Sequence, residues 1–213
     1  MKVVVIDYGS GNLRSCAKAF ERAASEHNIK ADVVVSPNPE DILSADRVVL
    51  PGVGAFADCR SGLDAVGGLV DAMNEAVIKN AKPFFGICVG MQLMADVGRE
   101  FGDTNGLGWV GGEVVAMKPS NPNLKIPHMG WNDLKIKNPH PLLAGLPVGG
   151  HAYFVHSYQF NASDEKNVIG EIDYGGPVSA VIAKDNMVGT QFHPEKSQGF
   201  GLGIIANFLS WNP

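Results

Sequence analysis

Residues 84–92 read Phe84-Phe85-Gly86-Ile87-Cys88-Val89-Gly90-Met91-Gln92. The apolar run that ends near Ile87 predicts a buried strand, and the helix-forming run over 91–97 predicts a helix directly after it. Between the two, a single cysteine lies between glycines. Glycines beside a nucleophile let the backbone turn sharply without a side-chain clash. The stretch therefore predicts an elbow that holds the sulfur of Cys88 above the carboxyl edge of a sheet.

Cys88 is a candidate nucleophile. A thiol reacts as its thiolate, and the partial positive charge at a helix N-terminus favours that anion. A free cysteine is also a common, unreactive core residue. The elbow alone leaves both interpretations open.

A candidate base and the acid that would orient it occur towards the end of the chain, in Gln191-Phe192-His193-Pro194-Glu195. His193 can take and return a proton, and Glu195 can fix its tautomer. Pro194 disfavours a helical conformation at His193, and residues two apart in an extended segment point to the same side. A surface turn is the alternative for His-Pro-Glu alone. Together with the cysteine elbow, the pair favours nucleophilic catalysis.

Around these segments, apolar strands alternate with helical stretches, which is typical of parallel βαβ units. The predicted strands are short apolar runs that suit burial on both faces of a sheet, and they cover 3–6, 33–35, 48–50 and 84–87. Helices are predicted over 13–24, in parts of 55–79, over 91–97 and over 201–211. From Gly108 onward, closely spaced short runs predict added hairpins, including 178–183 with 188–192.

Bulk properties limit the class of protein. At 213 residues, one domain over 1–213 is the expectation. The net charge of −5, with 17 Lys and Arg residues, argues against nucleic-acid binding. No apolar run reaches transmembrane length and none resembles a signal peptide, so we expect no membrane partner. An odd number of cysteines without a Cys-x-x-Cys motif predicts free thiols and a cytoplasmic location.

Two glycine-rich loops follow predicted strands. The loop over 7–12 invites comparison with a dinucleotide-binding loop, but Arg14 stands where the third glycine belongs. In Pro51-Gly52-Val53-Gly54, the glycines free backbone N–H groups to face a ligand, unless the segment is an ordinary turn. The histidines at 128, 151 and 156 lack a convincing metal-ligand spacing and are expected to be structural. No metal and no cofactor is predicted.

Five motifs occur in a fixed order along the chain: Pro51–Gly54, Gly86–Gln92, Pro127-His128-Met129-Gly130-Trp131-Asn132, Tyr153-Phe154-Val155-His156-Ser157-Tyr158 and His193-Pro194-Glu195-Lys196-Ser197. With them, the chain resembles the class I (triad) glutamine amidotransferases from Asp7 to Phe208. The first and third motifs resemble the glutaminase subunits of imidazole glycerol phosphate synthases in particular. Related subunits for other synthases carry a second glycine in place of Val53. The resemblance implies an α/β, flavodoxin-like three-layer fold with a mostly parallel central sheet and added antiparallel hairpins.

The resemblance also implies a mechanism. Cys88 would attack the side-chain amide carbon of glutamine, with His193 as acid and base and Glu195 as its orienter, through a γ-glutamyl thioester. Backbone N–H groups of Val89 and Val53 would hold the oxyanion, the latter after its peptide reorients. Glutamine would be bound by Gly52, Gln92, Glu100, Ser157 and Tyr158. Glu100, which would recognise the α-ammonium group, follows an atypical Val97-Gly98-Arg99 and has a solvated surface carboxylate as its alternative.

The implied partner is a (β/α)8-barrel cyclase, with which the chain would form a heterodimer in histidine biosynthesis. Lys196 matches a lysine that pairs with an acid of the cyclase, and Met129, Trp131 and Asn12 would lie on the same face. Met129 and Trp131 have ordinary core positions as their alternative. Two other functions stay open: a glutaminase subunit for a different synthase, and a catalytically silent flavodoxin-like regulatory subunit.

Overall fold

The computed structural model describes residues 1–147 and 149–213. Its centre is an eight-stranded sheet in the order β2-β1-β3-β4-β14-β13-β12-β9. The first five strands of that order are parallel, and the other three add antiparallel neighbours. Their bounds are β1 Lys2–Ile6, β2 Asp32–Ser36, β3 Arg47–Gly52, β4 Phe84–Cys88, β9 Lys135–Ile136, β12 Val168–Asp173, β13 Pro177–Lys184 and β14 Met187–Thr190.

Two smaller sheets lie beside the central one. One has the order β11-β7-β5-β6, and the other pairs β10 with β8. The strands are β5 Val97–Gly98, β6 Thr104–Asn105, β7 Gly112–Ala116, β8 His128–Asp133, β10 His151–His156 and β11 Tyr158–Ala162. The predicted mostly parallel sheet with antiparallel hairpins is confirmed, and β13 and β14 form the hairpin expected around 185–186.

Helices form the outer layers. They are α1 Leu13–Glu26, α2 Pro39–Ser44, α3 Phe56–Ala65, α4 Leu69–Met73, α5 Val89–Gln92 and α6 Gln198–Ser210, with a π-helical segment over Asn74–Lys79 and short 3₁₀ turns at Pro141–Leu143, Glu165–Asn167 and Pro194–Lys196. Helix α1 packs against α6, whereas α2 packs with α4 and the π-helical segment. Right-handed crossovers place helices on opposite faces where the strand order reverses, which gives the three-layer arrangement expected from the sequence.

Strands β1, β3 and β4 are almost fully buried, as their Val, Leu and Phe runs predict. Strand β2 is an exception. It lies at the edge of the sheet and its Val35 side chain is 39% exposed, so burial on both faces is wrong for this strand. A run of valines indicates a strand but does not determine whether a neighbour covers its outer side.

The helix predicted over 91–97 is wrong in its extent. Helix α5 ends at Gln92, and Val97 already belongs to β5. The carbonyl groups of residues 93–95 accept hydrogen bonds from the backbone N–H groups of residues 107–110. Because these long-range bonds replace the i+4 bonds that would continue the helix, the chain leaves α5 after one turn.

None of the helices in the described part of the chain has both the length and the apolarity that crossing a bilayer requires.

Candidate active site

Three parallel strands bring the predicted motifs to one edge of the central sheet. Gly52, the last residue of β3, is paired with Cys88, the last residue of β4. Strand β14 lies on the other side of β4 and ends at Thr190, three residues before His193. A cavity of about 280 Å³ opens at this edge and is lined by Val53, Gly54, Cys88, Val89, Gln92, Glu100, Pro127, Val155, His156, Ser157, Tyr158 and His193. The carboxyl edge of a parallel sheet is the usual place for a binding crevice.

The elbow is strained at the cysteine itself. Cys88 has φ 55° and ψ −112°, a conformation that costs a non-glycine residue about 1–3 kcal/mol. The glycines serve close packing rather than an unusual φ. A Cβ atom on Gly90 would lie 1.8 Å from the carbonyl oxygen of Leu50, and one on Gly86 would lie 2.6 Å from the carbonyl oxygen of Gly90. The predicted turn is therefore present, but its positive φ belongs to the nucleophile.

His193 and Glu195 form the expected pair. Nδ1 of His193 lies 2.9 Å from Oε1 of Glu195, and both side chains are 3% exposed. The His193 backbone is fixed as well, since its N–H donates to the carbonyl of Tyr153 and its own carbonyl accepts from the Ser197 hydroxyl at 2.7 Å. Ser197, the last residue of the fifth motif, therefore holds this turn in place.

The electrostatics favour a protonated His193. Burial alone lowers the pKa of His193, but interactions with Cys88 and Glu195 outweigh it and raise the pKa to about 10. Nε2 of His193 has no hydrogen-bond partner among the described residues, so this nitrogen is free to exchange a proton with a substrate. An imidazolium beside a thiolate is the ion pair that activates a cysteine nucleophile. The arrangement can carry out acyl transfer through sulfur.

The Val53 backbone is held by the loop that follows β1. Its N–H donates to the Ser10 hydroxyl at 3.2 Å, and its carbonyl accepts from the same hydroxyl at 2.8 Å and from the Cys59 thiol at 3.3 Å. Tyr8 donates to the carbonyl of Pro51 at 2.9 Å, and burial raises the pKa of Tyr8, which keeps its phenol a donor. The glycine-rich loop rejected as a nucleotide site therefore fixes the backbone over 51–53.

A second group of polar side chains lies beside Cys88 and includes Gln92, which lines the cavity. The buried amide of Gln92 donates to Oε1 of Gln191 at 3.0 Å and to the carbonyl of Tyr158 at 3.3 Å. The Gln191 amide lies 3.7 Å from the sulfur of Cys88. Sequence reasoning missed Gln191 as a site residue, although it stands two positions before His193. Its place near the end of a predicted strand, in the same segment as His193, was the signal that could have found it.

Glu100 lines the cavity, with one carboxylate oxygen accepting from the backbone N–H of Phe56 at 2.8 Å. This hydrogen bond holds the half-buried carboxylate at the start of α3, and its contact with substrate stays a prediction. Ser157, Tyr158 and Val89 line the cavity as well. Gly52 lies beneath it, where a Cβ atom would be 2.7 Å from the Tyr8 hydroxyl and 2.9 Å from the Gly90 nitrogen.

The four residues assigned to a partner face are all exposed. Met129 and Trp131, two apart on β8, are 63% and 47% exposed, so neither is a core residue. The Trp131 ring packs edge-on against Tyr153, and the Lys196 ammonium lies 5.9 Å from the centre of the same tyrosine ring. Asn12 stands at the N-terminus of α1. Exposed aromatic and methionine side chains are typical of a binding surface.

Residues 1–147 and 149–213 contain no group of three or more His, Cys, Asp and Glu side chains placed to hold a metal ion. Their three cysteines, at positions 16, 59 and 88, are all unpaired and buried.

Comparison with known proteins adds independent findings. The family model "Glutamine amidotransferase class-I" matches residues 4–210. Imidazole glycerol phosphate synthase subunit HisH of Brucella suis is 58% identical over 216 residues, with 100% of each chain covered. The subunit of the same name from Rhodospirillum rubrum is 58% identical over 214 residues, again with 100% of each chain covered.

Among solved structures, a glutamine amidotransferase superposes with a TM-score of 0.71 at 18% identity, covering 98% of this chain and 99% of that one. Another glutamine amidotransferase, from Thermotoga maritima, gives a TM-score of 0.62 at 18% identity, covering 92% of this chain and 76% of that one. At these identities the structural similarity shows a shared fold.

Proposed function

The chain belongs to the class-I glutamine amidotransferases, and on that basis we propose that it is the glutaminase subunit of an imidazole glycerol phosphate synthase. In this role it hydrolyses glutamine to glutamate and delivers the ammonia to a synthase subunit in histidine biosynthesis. The observation that carries the proposal is a buried His193–Glu195 pair beside a cysteine on a strained elbow, at the floor of one cavity.

In the proposed reaction, the Cys88 thiolate forms a bond to the amide carbon of glutamine. The protonated His193 gives its proton to the departing nitrogen, so that ammonia leaves and a γ-glutamyl thioester remains. His193, now neutral, takes a proton from water as that water attacks the thioester carbon. The C–S bond then breaks, which regenerates the Cys88 thiolate and releases glutamate. Glu195 stabilises the imidazolium at the start and end of this cycle.

The glutamine pocket is proposed from the cavity lining. The Glu100 carboxylate attracts the α-ammonium group, Ser157 and Tyr158 contact the substrate backbone, and Gly52 and Gln92 shape the wall beside the amide. The backbone N–H groups of Val89 and Val53 stabilise the oxyanion. Since the Val53 N–H is hydrogen-bonded to Ser10, only Val89 can serve until this peptide reorients.

We propose a (β/α)8-barrel cyclase as the partner, docked on the face that carries Asn12, Met129, Trp131 and Lys196. Free ammonia becomes protonated in bulk water and loses its nucleophilicity, which favours direct transfer between two subunits. The unpaired cysteines agree with a reducing compartment, so we propose a cytoplasmic location. We also propose that residues 1–213 form a single glutaminase domain.

The function is tested by measuring glutamate release from the isolated chain, from its complex with the cyclase, and from that complex with the cyclase's ribonucleotide substrate. One missing oxyanion donor lowers a rate by about 10²–10³-fold, so we expect low activity for the isolated chain and stimulation of that order in the loaded complex. A rate that stays at background in all three samples contradicts the proposed function. Stimulation by the cyclase of another synthase alone would reassign the partner.

Replacing Ser10 by alanine should raise the activity of the isolated chain. The hydroxyl makes two hydrogen bonds to the Val53 backbone, and each such bond contributes about 1 kcal/mol. Their loss makes reorientation of the peptide easier by about 2 kcal/mol, so we expect up to about a 30-fold higher basal rate of glutamate release. Ser61→Ala, at an exposed position on α3, is the control and should leave the rate unchanged. A basal rate that is unchanged or lower in Ser10→Ala means that Ser10 does not restrain this peptide.

A further inference from the structure

Two buried histidines lie side by side next to the cavity. His128 begins β8 and His156 ends β10, and the two residues pair across this two-stranded sheet. They are 4% and 6% exposed. Nδ1 of His128 lies 3.2 Å from Nε2 of His156, and Nδ1 of His156 lies 2.8 Å from the carbonyl oxygen of Tyr158. His156 lines the cavity, whereas His128 is not among the described residues that line it.

The hydrogen bonds determine where the protons are. A carbonyl oxygen only accepts, so Nδ1 of His156 must carry a proton and donate it in the hydrogen bond to the Tyr158 carbonyl. Burial lowers the pKa of both His128 and His156 to about 4, so both rings are neutral at physiological pH. A neutral His156 protonated on Nδ1 has a bare Nε2, which can only accept. His128 must therefore donate from its own Nδ1, and both rings are held in the same tautomer.

Packing keeps His128 in the orientation that this donation needs. Its ring stacks on Phe154, with the centroids 5.0 Å apart and the planes at 22°. On another side the Tyr174 ring lies 4.0 Å away, and the Tyr174 hydroxyl is itself fixed to the carbonyl of Lys125. A ring that is sandwiched in this way cannot swing out of the hydrogen bond without disturbing its neighbours.

The chain of hydrogen bonds ends at the segment that faces the substrate. The Tyr158 carbonyl accepts from His156 and also from the Gln92 amide. Through Gln92, the same carbonyl is connected to Gln191 and to the sulfur of Cys88. The Ser157 carbonyl accepts from the backbone N–H of Met117, which ties one side of the segment to the neighbouring strand. On the side of the nucleophile, the position of Tyr158 depends on these two donors, of which His156 makes the shorter contact.

We propose that His128 and His156 form a relay that positions the Ser157–Tyr158 segment for glutamine, with His128 acting as a positioning residue from outside the cavity. The inference rests on the proposed glutaminase function, since it assigns this segment to glutamine binding. Two consequences follow. Loss of the His128 donor weakens glutamine binding more than it slows chemistry, and a different side chain with an N–H at the Nδ1 position restores it.

The test compares His128→Leu with His128→Asn in the complete complex with the cyclase and its ribonucleotide substrate. Leucine and asparagine branch alike at Cγ, but only asparagine offers an N–H near the position of Nδ1. We expect about a tenfold higher KM for glutamine in the leucine variant, from the loss of a buried hydrogen bond, with kcat reduced by about twofold or less. The asparagine variant should stay within about threefold of the wild-type KM. His151→Leu, which removes an exposed histidine from the other end of β10, should match the wild type.

Equal KM values for the leucine and asparagine variants, or a loss confined to kcat, overturn the relay. The glutaminase function is unaffected by that outcome as long as the wild-type complex turns over glutamine. Absence of turnover in the wild-type complex contradicts the function itself. A second measurement needs no activity. Long-range ¹H–¹⁵N spectra of the wild-type chain at neutral pH should show both rings protonated on Nδ1, and a proton on Nε2 of His156 overturns the relay even if the variants fail to fold.

Discussion

Glutamate release by the complex should fall by on the order of 10⁴-fold or more when Cys88 is replaced by serine, because removal of a covalent nucleophile is among the largest single losses an enzyme site can show. A serine hydroxyl needs a neutral base to remove its proton. With a pKa of about 10, His193 carries a proton at neutral pH, although part of that elevation comes from Cys88 itself. The remaining Glu195 interaction still favours the imidazolium, so serine is poorly activated in this site.

Cys16→Ala provides the matched control. Cys16 is 1% exposed on α1, and burial raises the pKa of its thiol well above the ordinary value, so its removal should leave kcat near that of the wild type. A glutamine-like diazo-ketone should label the wild type and Cys16→Ala and should fail to label Cys88→Ser. Retained turnover in Cys88→Ser would place the nucleophile elsewhere. Absence of labelling in the wild type would favour a silent regulatory subunit.

The second large effect is expected for Glu195→Gln, with a loss of about 10³–10⁴-fold in kcat. The amide can accept from His193 at the same place but carries no charge, and its N–H₂ group can hold the imidazole in the wrong tautomer. The Glu195 carboxylate contributes to the raised pKa of His193. When it is neutralised, His193 loses its proton at lower pH, so the alkaline limb of the rate profile should move to lower pH. Stopped assays of glutamate release across the pH range measure both effects.

Glu165→Gln is the control for a change of charge. Its side chain is 87% exposed, in a short 3₁₀ turn at the surface, and the rate profile should coincide with that of the wild type. Thermal unfolding of both variants separates a catalytic loss from misfolding. A Glu195→Gln enzyme with full kcat and an unmoved alkaline limb would show that Glu195 is not the orienter of His193.

The sequence predicts those parts of the fold that depend on local pattern. Local patterns of apolar residues and glycines are enough to predict β1, β3, β4 and the elbow after β4. The extent of α5 could not be predicted, because it depends on backbone bonds from residues 107–110. The exposed side of β2 depends likewise on the absence of an outer neighbour among the described strands.

The site divides in the same way. Cys88, His193 and Glu195 are recognisable because their chemistry requires particular residue types near particular turns. The Ser10 hydroxyl on Val53 and the His128–His156 pair are not recognisable, since each joins segments that lie far apart in sequence through a contact set by sheet register. The sequence predicts structural histidines at these positions, and only their arrangement around the Tyr158 carbonyl indicates a role.

The positive-φ conformation of Cys88 also bears on how the sequence can vary. A residue at φ 55° and ψ −112° holds about 1–3 kcal/mol of backbone strain that the surrounding strands must sustain. Glycine would relieve that strain, so a drift to glycine at this position would produce a chain that folds at least as readily and does nothing. Selection for stability alone would therefore favour glycine at position 88. Cysteine at this position is expected only where its thiol is needed for the reaction.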